Sequence, residues 1–360
     1  MNKKNLHIYY SSFNTKNGAA ASLIDLANSA SEVTCVYFFI TKLPSSIKQI
    51  LTNRNKRIKI IYTTNFKPIQ RIIFKFFDVH KTEVLCIDAI KNYDFLKEVG
   101  YKNIVNYFAA DLRALIQSKI YSDSDIKLLI KELLKFKFLL VQSKSTSKDL
   151  ANYNIKSKTL LPTCDEFWLQ NYQKNKTFNP IKTIVISIIG SIQERKNQLD
   201  AIEFGYQLSK QTSFKVTLKI VGKPLDNNYY KLCQEKSHKL SNLNYKIDFT
   251  GHLDDYRNIY NTTDIILQTS LSEGFSRILR EAMYLKIPIC AYVLPSNKEH
   301  ICEHRSINAP VGDLNSLIIN LTESLNNNEI ADIVNNATIY YNNNLSTNIY
   351  KKNLTENLLN

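Results

Sequence analysis

Long apolar runs are missing from this sequence of 360 residues, and so are paired cysteines. No stretch approaches the roughly 18 consecutive apolar residues that cross a bilayer. Near the N-terminus only residues 6–10 are apolar before a polar run over residues 11–17, which is too short for the core of a signal peptide. The six cysteines include no Cys-x-x-Cys pair, so neither a zinc site nor a disulfide framework is indicated. We therefore expect a cytoplasmic protein.

The sequence also shows neither metal-ligand spacings nor internal repeats. None of the six histidines stands at a metal-ligand spacing from another histidine, a cysteine or a carboxylate, and His7, on the first predicted strand, is interpreted as structural. No repeat of solenoid or propeller length is apparent. What is present is a globular composition, with 44% hydrophobic and 22% charged residues. A chain of this length favours two domains, each with a core of its own.

Positive charge is concentrated in the first half of the chain. Residues 1–165 hold 26 Lys and Arg against 13 Asp and Glu, whereas residues 166–360 hold 21 against 19. A coding bias toward lysine is one explanation of the net charge of +15, but such a bias should raise the lysine content of both halves equally. The asymmetry favours an anionic partner for the first lobe.

Short β-branched or aromatic runs alternate with helix-length amphipathic segments, a pattern typical of βαβ units around parallel sheets. We predict an α/β protein of two doubly wound Rossmann-like lobes that face a cleft. Ligands of such sheets bind at the carboxyl ends of the strands, at the topological switch points. The predicted divisions are a first lobe over 1–165, a linker over 166–182, a second lobe over 183–335 and a helical tail over 336–360 that packs back on the first lobe or closes the second. Strands are predicted at residues 6–10, 34–39, 58–62, 84–87, 104–107, 138–142, 184–189, 217–221, 245–249, 265–269 and 289–292.

The most informative segment follows the predicted strand at 265–269. Glu273 and Gly274 lie in the loop after this strand, a helix begins near Arg277, and Glu281 lies about one turn inside that helix. The free amides and positive dipole end of a helix start bind phosphate, and a glycine allows close approach. Carboxylates accept hydrogen bonds from sugar hydroxyls. One loop thus offers both halves of a sugar-phosphate site, although a plain turn and a solvent-facing Glu281 are the simpler interpretation of these residues alone.

In spacing and surroundings this segment resembles family 4 of the retaining GT-B glycosyltransferases. That family carries Glu-Gly-Phe, a second Glu eight positions after the first, then Ala-Met and a later Pro, as Glu273-Gly-Phe, Glu281-Ala-Met and Pro288 do here. Upstream, the loop from Gly190 to Lys196 matches the family's strand-end loop with its phosphate-binding lysine. The strand ends at Gly222 and Gly251 match those of the family in order and in sequence spacing as well.

The resemblance implies a glycosyltransferase of hexosyltransferase type, with a UDP-sugar favoured over a GDP-sugar as donor and no required metal or other cofactor. Lys196 and Arg195 would bind the diphosphate, Glu281 the ribose hydroxyls, and Glu273, the catalytic candidate, the donor sugar. Gly18 opens the first helix where the family has a glycine loop, with Asn17 in place of the usual first glycine. The donor-binding positions are Gly18, Gly190, Arg195, Lys196, Gly222, Gly251, Gly274, Phe275, Ser276, Arg277, Ile278 and Glu281.

Two departures from the family concern the cations and the acceptor side. Ser191 stands where the family commonly has an arginine, for which Arg195 is a substitute. The region around residues 106–113 lacks the histidine that the family often has near the reacting sugar. Asp111 and Arg113 are the candidates there for acceptor contact, with surface helix charges as the alternative.

Residues 66–77 interleave Lys67, Arg71 and Lys75 with bulky apolar residues, as an interfacial helix does. This pattern predicts a peripheral protein on the inner face of the cell membrane. Together with it, the family resemblance implies a glycan or lipid-linked glycan acceptor in polysaccharide or lipopolysaccharide synthesis. A core helix with three solvated charges is the alternative.

Three other functions of the protein stay open. They are a nucleotide-sugar 2-epimerase of the same fold, a non-catalytic partner of another transferase, and a basic nucleic-acid-binding protein. The lack of any basic helix or stacking motif disfavours the last of these.

Overall fold

The computed structural model of this chain describes residues 5–10, 18–43, 48, 51, 57–64, 67–77, 79, 82–86, 89–108, 112, 116, 122–172, 178, 182–253, 255–301 and 304–359. The chain forms two compact units. One comprises Met1–Cys164 and Leu345–Asn360, and the other comprises Asp165–Asn344. Within the ranges just given, no helix combines the length and apolarity that crossing a membrane requires.

The first unit is built on a seven-stranded parallel sheet with the order β3-β2-β1-β4-β5-β6-β7. Its strands are β1 (Leu6–Tyr10), β2 (Val36–Ile40), β3 (Ile58–Tyr62), β4 (Glu83–Cys86), β5 (Asn103–Phe108), β6 (Phe138–Val141) and β7 (Ser157–Thr159). Its helices before the second unit are α1 (Gly18–Ser31), α2 (Lys67–Phe74), α3 (Ala89–Glu98), α4 (Asp123–Leu133) and α5 (Lys144–Ala151).

The second unit is built on a six-stranded parallel sheet with the order β10-β9-β8-β11-β12-β13. Its strands are β8 (Thr183–Ile189), β9 (Lys215–Val221), β10 (Tyr245–Gly251), β11 (Ile265–Gln268), β12 (Ile289–Val293) and β13 (Ile307–Pro310). Its α-helices are α6 (Glu166–Leu169), α7 (Gln198–Gln211), α8 (Asn227–Leu240), α9 (Arg277–Tyr284), α10 (Lys298–Ile301), α11 (Leu314–Asn326) and α12 (Ile330–Asn344). Glu194–Lys196 and Tyr256–Thr262 form 3₁₀ turns.

Most residues of the central strands are buried, which explains why these strands read as apolar runs. All five residues of β1 and all four of β11 are buried, whereas only Tyr245 is buried on the edge strand β10. Parallel strands covered by helices on both faces show this continuous pattern. The predicted α/β class with two Rossmann-like lobes is confirmed.

The strand order defines one switch point in each sheet. In the second sheet it lies between β8 and β11, which pair in parallel through Ile265 and Ile186. The loops that follow these two strands therefore leave the sheet side by side, where ligands of doubly wound sheets bind. In the first sheet the switch point lies between β1 and β4, and the residues directly after both strands lie outside the described part of the chain.

The chain returns to the first unit at its end. Helix α13 (Thr347–Leu354) places Tyr350 and Leu354 in the core of this unit, together with Leu358 and with residues of β1 and α1. Lys351 forms an ion pair with Glu32. The tail predicted over 336–360 thus divides: the structure keeps α12 in the second unit and only Leu345–Asn360 in the first.

Three features differ from the sequence predictions. The segment from Glu166, predicted as part of a linker, begins inside the second unit, where its carboxylate accepts a 2.8 Å hydrogen bond from Tyr341 Oη. Strands β7 and β13 were not predicted. Both lie at sheet edges and have three and four residues, too few to show a period of their own.

Candidate active site

Two loops meet at the switch point of the second sheet. The first follows β8 and carries Arg195 and Lys196, and the second follows β11 and carries Glu273. The amide of Leu271 donates to the carbonyl oxygen of Arg195 at 2.9 Å, and Thr269 Oγ1 donates to the carbonyl oxygen of Asn197 at 2.8 Å. These hydrogen bonds join two loops that are about 75 residues apart in the sequence, and so hold both in one site.

Glu273 lies at the centre of this site, with only 10% of its side chain exposed. Lys196 Nζ donates to its Oε1, Arg195 Nη1 lies 3.3 Å from its Oε2, and Ser270 Oγ donates to Oε1 at 2.8 Å. Ser296 Oγ donates to the Glu273 carbonyl oxygen at 2.6 Å, which fixes the loop backbone. The structure thus brings the predicted phosphate cations against the predicted sugar-binding carboxylate.

Opposing effects act on the Glu273 carboxyl. Burial raises its pKa, but the charges of Lys196 and Arg195 and the hydrogen bonds from Lys196 and Ser270 lower it, and the net pKa lies below the ordinary value of 4.5. The carboxylate is therefore ionised at neutral pH. Because the folded-state pKa is depressed, this group contributes stability that is present above pH 4.5 and is lost as the pH falls through the folded-state pKa.

Three glycines stand in a row at the carboxyl ends of neighbouring strands. The Gly190 amide donates to Val221 O, and the Gly222 amide donates to Gly251 O, each at 2.9 Å. At Gly190 an added Cβ would lie 3.3 Å from Lys196 Cε, so the missing side chain makes room for the lysine. At Gly222 an added Cβ would lie 2.0 Å from Gly190 O. Both glycines are predicted donor-binding positions, and in the structure Gly222 has a packing role beneath the first loop.

Helix α9 begins directly after the second loop. Ser276 is its N-cap residue, with an extended backbone and no capping hydrogen bond from its own side chain. The first-turn amides of a helix have no partner within the helix and attract anions. Gly274 and Ile278, which flank this start, are partly exposed. The loop before this helix start carries Glu273, which pairs with Lys196 and Arg195, and the phosphate site at the helix start stays a prediction.

Glu281 is buried, with 1% of its side chain exposed. Tyr256 Oη donates to the carboxylate at 2.9 Å from Oε1 and 3.0 Å from Oε2, Tyr260 Oη donates to Oε2 at 2.5 Å, and Arg277 Nε donates to Oε1 at 2.7 Å. A ribose hydroxyl reaches this carboxylate only if one of these donors moves away. The predicted ribose contact of Glu281 stays a prediction.

Phe275 anchors the loop rather than facing solvent. Its ring is 7% exposed, and its centroid lies 4.0 Å from that of the buried His300 in an edge-to-face arrangement. The guanidinium carbon of Arg280, also buried, lies 5.1 Å from the Phe275 centroid, within cation–π range. His300 Nδ1 is hydrogen-bonded to Tyr340 Oη at 2.7 Å. These packed rings keep the Glu273 loop in place.

The remaining predicted residues fall elsewhere. Gly18 begins α1 in the first unit, and Asp111 and Arg113 lie outside the described residues. Ser191, which replaces the family's arginine, accepts a hydrogen bond from Gln193 Nε2 at 2.5 Å. No group of three histidine, cysteine or acidic side chains within the described ranges is arranged to hold a metal ion.

Sequence reasoning did not find several residues that support the site. Ser270 and Ser296 gave no signal, because a single serine in a loop has no distinguishing pattern. Tyr256 and Tyr260 did leave one: residues four apart share a face of an α-helix, so the spacing could have suggested a shared partner, although in the structure both reach Glu281 from a 3₁₀ turn.

Solved structures with a similar fold identify the fold class of this chain. HepE of Anabaena, solved in complex with UDP and glucose, has a TM-score of 0.78 at 15% identity, with 98% of each chain covered. A glycosyltransferase from Rickettsia africae has a TM-score of 0.76 at 16% identity, covering 99% of this chain and 98% of that one. TarM of S. aureus, solved with fondaparinux, α-GlcNAc-glycerol and UDP, has a TM-score of 0.74 at 10% identity, covering 98% and 99%. The chain has the GT-B fold.

The family comparison adds the activity. Residues 170–339 match the model of the family described as glycosyl transferases group 1. This range contains both loops of the site and helix α9. No curated protein matches the sequence. The match to this family lies within the second unit, and the protein is a glycosyltransferase enzyme.

Proposed function

We propose that this enzyme transfers a sugar from a UDP-sugar to a glycan or lipid-linked glycan acceptor with retention of the anomeric configuration, as family 4 glycosyltransferases do. One observation carries the proposal: Lys196, Arg195 and the start of α9 converge on the Glu273 loop at the switch point of a group 1 domain. Two cations and unpaired helix amides are suited to a diphosphate. The presence of UDP with HepE and with TarM supports uracil as the base.

The transfer breaks the bond between the anomeric carbon and the diphosphate oxygen. An oxygen of the acceptor hydroxyl forms the new bond to that carbon, and its proton leaves with the diphosphate. Negative charge develops on the leaving diphosphate, where Lys196, Arg195 and the first-turn amides of α9 stabilise it. Fixed charges aimed at a leaving group lower the barrier without reorganisation. When the diphosphate binds Lys196 and Arg195, the Glu273 carboxylate loses its ion pairs with them and accepts hydrogen bonds from hydroxyls of the donor sugar.

Calorimetric titration of the purified protein with UDP, GDP and ADP, and with their sugars, tests the donor. We expect UDP and one UDP-sugar to bind at least about tenfold more tightly than the GDP and ADP ligands, because a site that hydrogen-bonds one base is left with unpaired polar groups when another base binds. Absence of binding to every nucleotide would indicate a non-catalytic partner of another transferase. Interconversion of the free UDP-sugar without an acceptor would indicate an epimerase.

We also propose that helix α2 attaches the enzyme to the inner face of an anionic membrane. Its inward face holds Gln70 and Phe74, which are 4% and 1% exposed. Its outward face and the following turn expose Ile69, Ile72 and Phe76 by 44%, 56% and 81%. Lys67, Arg71 and Lys75 are exposed among them. Apolar side chains interleaved with cations are suited to a membrane interface, where each nearby cation contributes about 1 kcal/mol.

The double substitution Ile72→Ser with Phe76→Ser tests this attachment. We expect at least about a tenfold loss of binding to vesicles that contain anionic lipid, because two inserted side chains lose most of their transfer free energy. Co-sedimentation with vesicles measures the effect. The matched control is Leu232→Ser with Leu243→Ser, two side chains of the second unit that are 51% and 96% exposed, which should not change binding. Equal binding by both variants would rule out α2 as the anchor.

A further inference from the structure

A polar cavity of about 410 Å³ lies in the second unit between β13, α11 and α12. Its walls come from the residues around the start of β13, from the second half of α11 and from the first turns of α12. The strands of this sheet pair in parallel, and the Glu273 loop follows the carboxyl end of β11. Because the cavity adjoins the amino end of β13, it lies at the opposite edge of the sheet from the candidate active site. Its volume is within the range of small-molecule sites, roughly 300–1,000 Å³.

Hydrogen-bond acceptors dominate the lining of this cavity. Asn308, Asn320 and Asn336 each use the side-chain amide nitrogen to donate to a backbone carbonyl oxygen, at 3.1, 2.8 and 3.3 Å. Their Oδ1 atoms have no hydrogen-bond partner among the residues that the structure describes, and so stay available as acceptors. Glu329 and Asp332 add two exposed carboxylates. The lining residues include no lysine or arginine.

A buried hydroxyl group also belongs to this cavity. Ser324, on α11, is 7% exposed and lines the cavity, and its Oγ forms no hydrogen bond within the described part of the chain. Hydroxyls inside helices often bond to the carbonyl oxygen four residues earlier, as Thr322 does to Ile318 at 2.9 Å. Because buried polar groups are hydrogen-bonded in nearly all cases, the partner of the Ser324 hydroxyl must be a molecule that enters the cavity.

These groups together select a neutral ligand that has several donors. Phosphates and carboxylates are disfavoured, because they would meet two carboxylates and no lysine or arginine. A protonated amine has at most three donors at one point, whereas the acceptors of the cavity are spread over β13, α11 and the start of α12. A saccharide carries hydroxyl donors around its ring, and its C–H groups can pack on the buried Ile307 and Ile333.

We propose that this cavity is a second saccharide site, which binds a neutral glycan away from the sugar that is transferred. A glycan held there by one segment keeps its other segments close to the enzyme, which raises their effective concentration at the site of transfer. The proposal goes beyond the transfer reaction and does not depend on the identity of the donor.

Calorimetric titration with three neutral trisaccharides, maltotriose, cellotriose and N,N′,N″-triacetylchitotriose, tests the site. We expect at least one of them to bind the wild type, and to bind the double variant Glu329→Gln with Asp332→Asn about tenfold more weakly, because hydrogen bonds to a carboxylate are roughly twice as strong as those to an amide. Both side chains are exposed, so the double variant keeps its core. The matched control is Glu235→Gln with Glu323→Gln, two exposed carboxylates of the same unit outside the cavity, which should leave saccharide binding unchanged.

Two results would overturn the proposal. One is that none of the three trisaccharides binds the wild type, and binding of spermidine in their place would identify a site for cations. The other is equal saccharide binding by the double variant and by its control, which would place the saccharide elsewhere.

Titration of the same double variant with UDP separates this proposal from the proposed function. UDP should bind the variant as it binds the wild type, because the cavity and the candidate active site lie at opposite edges of the sheet. Saccharide binding at the cavity by a protein that binds no nucleotide would overturn the proposed function and leave the second saccharide site standing.

Discussion

Replacing Lys196 with Met should reduce kcat/KM for sugar transfer by about 100- to 1000-fold, the typical cost of removing one fixed donor to a developing negative charge. Lys196 ends the 3₁₀ turn after β8 and reaches the Glu273 carboxylate, with 18% of its side chain exposed. A cation screened from water in this way stabilises a leaving diphosphate more than a solvated one does. Steady-state transfer assays with the UDP-sugar identified by titration measure the effect.

Methionine keeps most of the length and apolar stem of Lys196, so the substitution removes the charge with little change in packing. The matched control is Lys231→Met, an exposed lysine on helix α8 of the same unit, which should leave kcat/KM unchanged. Glu273 stays paired with Arg195 in the variant, because Arg195 Nη1 lies 3.3 Å from Oε2. Near-normal transfer by Lys196→Met would remove this lysine from the mechanism and move the diphosphate away from the first loop.

Substitution of Gly222 by Ala should lower the free energy of unfolding of the second unit by about 3 kcal/mol, from steric overlap and from an unfavourable backbone angle together. An alanine Cβ at this position would lie 2.0 Å from the carbonyl oxygen of Gly190, and φ of Gly222 is +152°. The nearest atoms are backbone and cannot rotate away. Thermal unfolding should show a fall of roughly 6–12 °C in Tm for a unit of this size.

The same substitution should also impair donor binding, since relief of the overlap moves Gly190 and with it the loop that carries Lys196. Gly251→Ala is the matched control for the loss of stability. Its φ is +69°, yet an added Cβ would have no atom within 4 Å, so only the strain of a left-handed alanine remains, about 1 kcal/mol. Equal destabilisation by both variants would contradict the steric explanation and leave backbone strain as the cause.

Much of the second unit was predictable because its signals are local. The buried strand β11, the loop with Glu273 and the helix that starts at Arg277 follow one another within about 20 residues. Each is indicated by a local pattern of a few residues: an apolar run for the strand, a glycine for the loop and a helical period for the helix. The predicted strand at 265–269 and the predicted helix start agree with the structure to within one residue. The short edge strands β7 and β13 were missed because three or four residues at a sheet edge carry no period.

The surroundings of Glu281 were not predictable in the same way. Its spacing from Glu273 is a property of the sequence, but its burial depends on Tyr256 and Tyr260, which reach it from a 3₁₀ turn more than 20 residues upstream. That turn lies in the connection from β10 to β11, two strands that β9 and β8 separate in the sheet. A carboxylate predicted to face a ribose is found enclosed by protein donors.

The sequence alone determined the α/β alternation, the two lobes and the residues that line the loop after β11, because periodicity, glycine and helix-start signals act between near neighbours along the chain. Tertiary structure decided which loops share a switch point, that Lys196 and Arg195 pair with Glu273, that Leu345–Asn360 belongs to the first unit, and that Arg277 is held by a buried Glu281. These are contacts between distant segments, set by strand order and by the packing of helices on the sheet, and no local pattern encodes them.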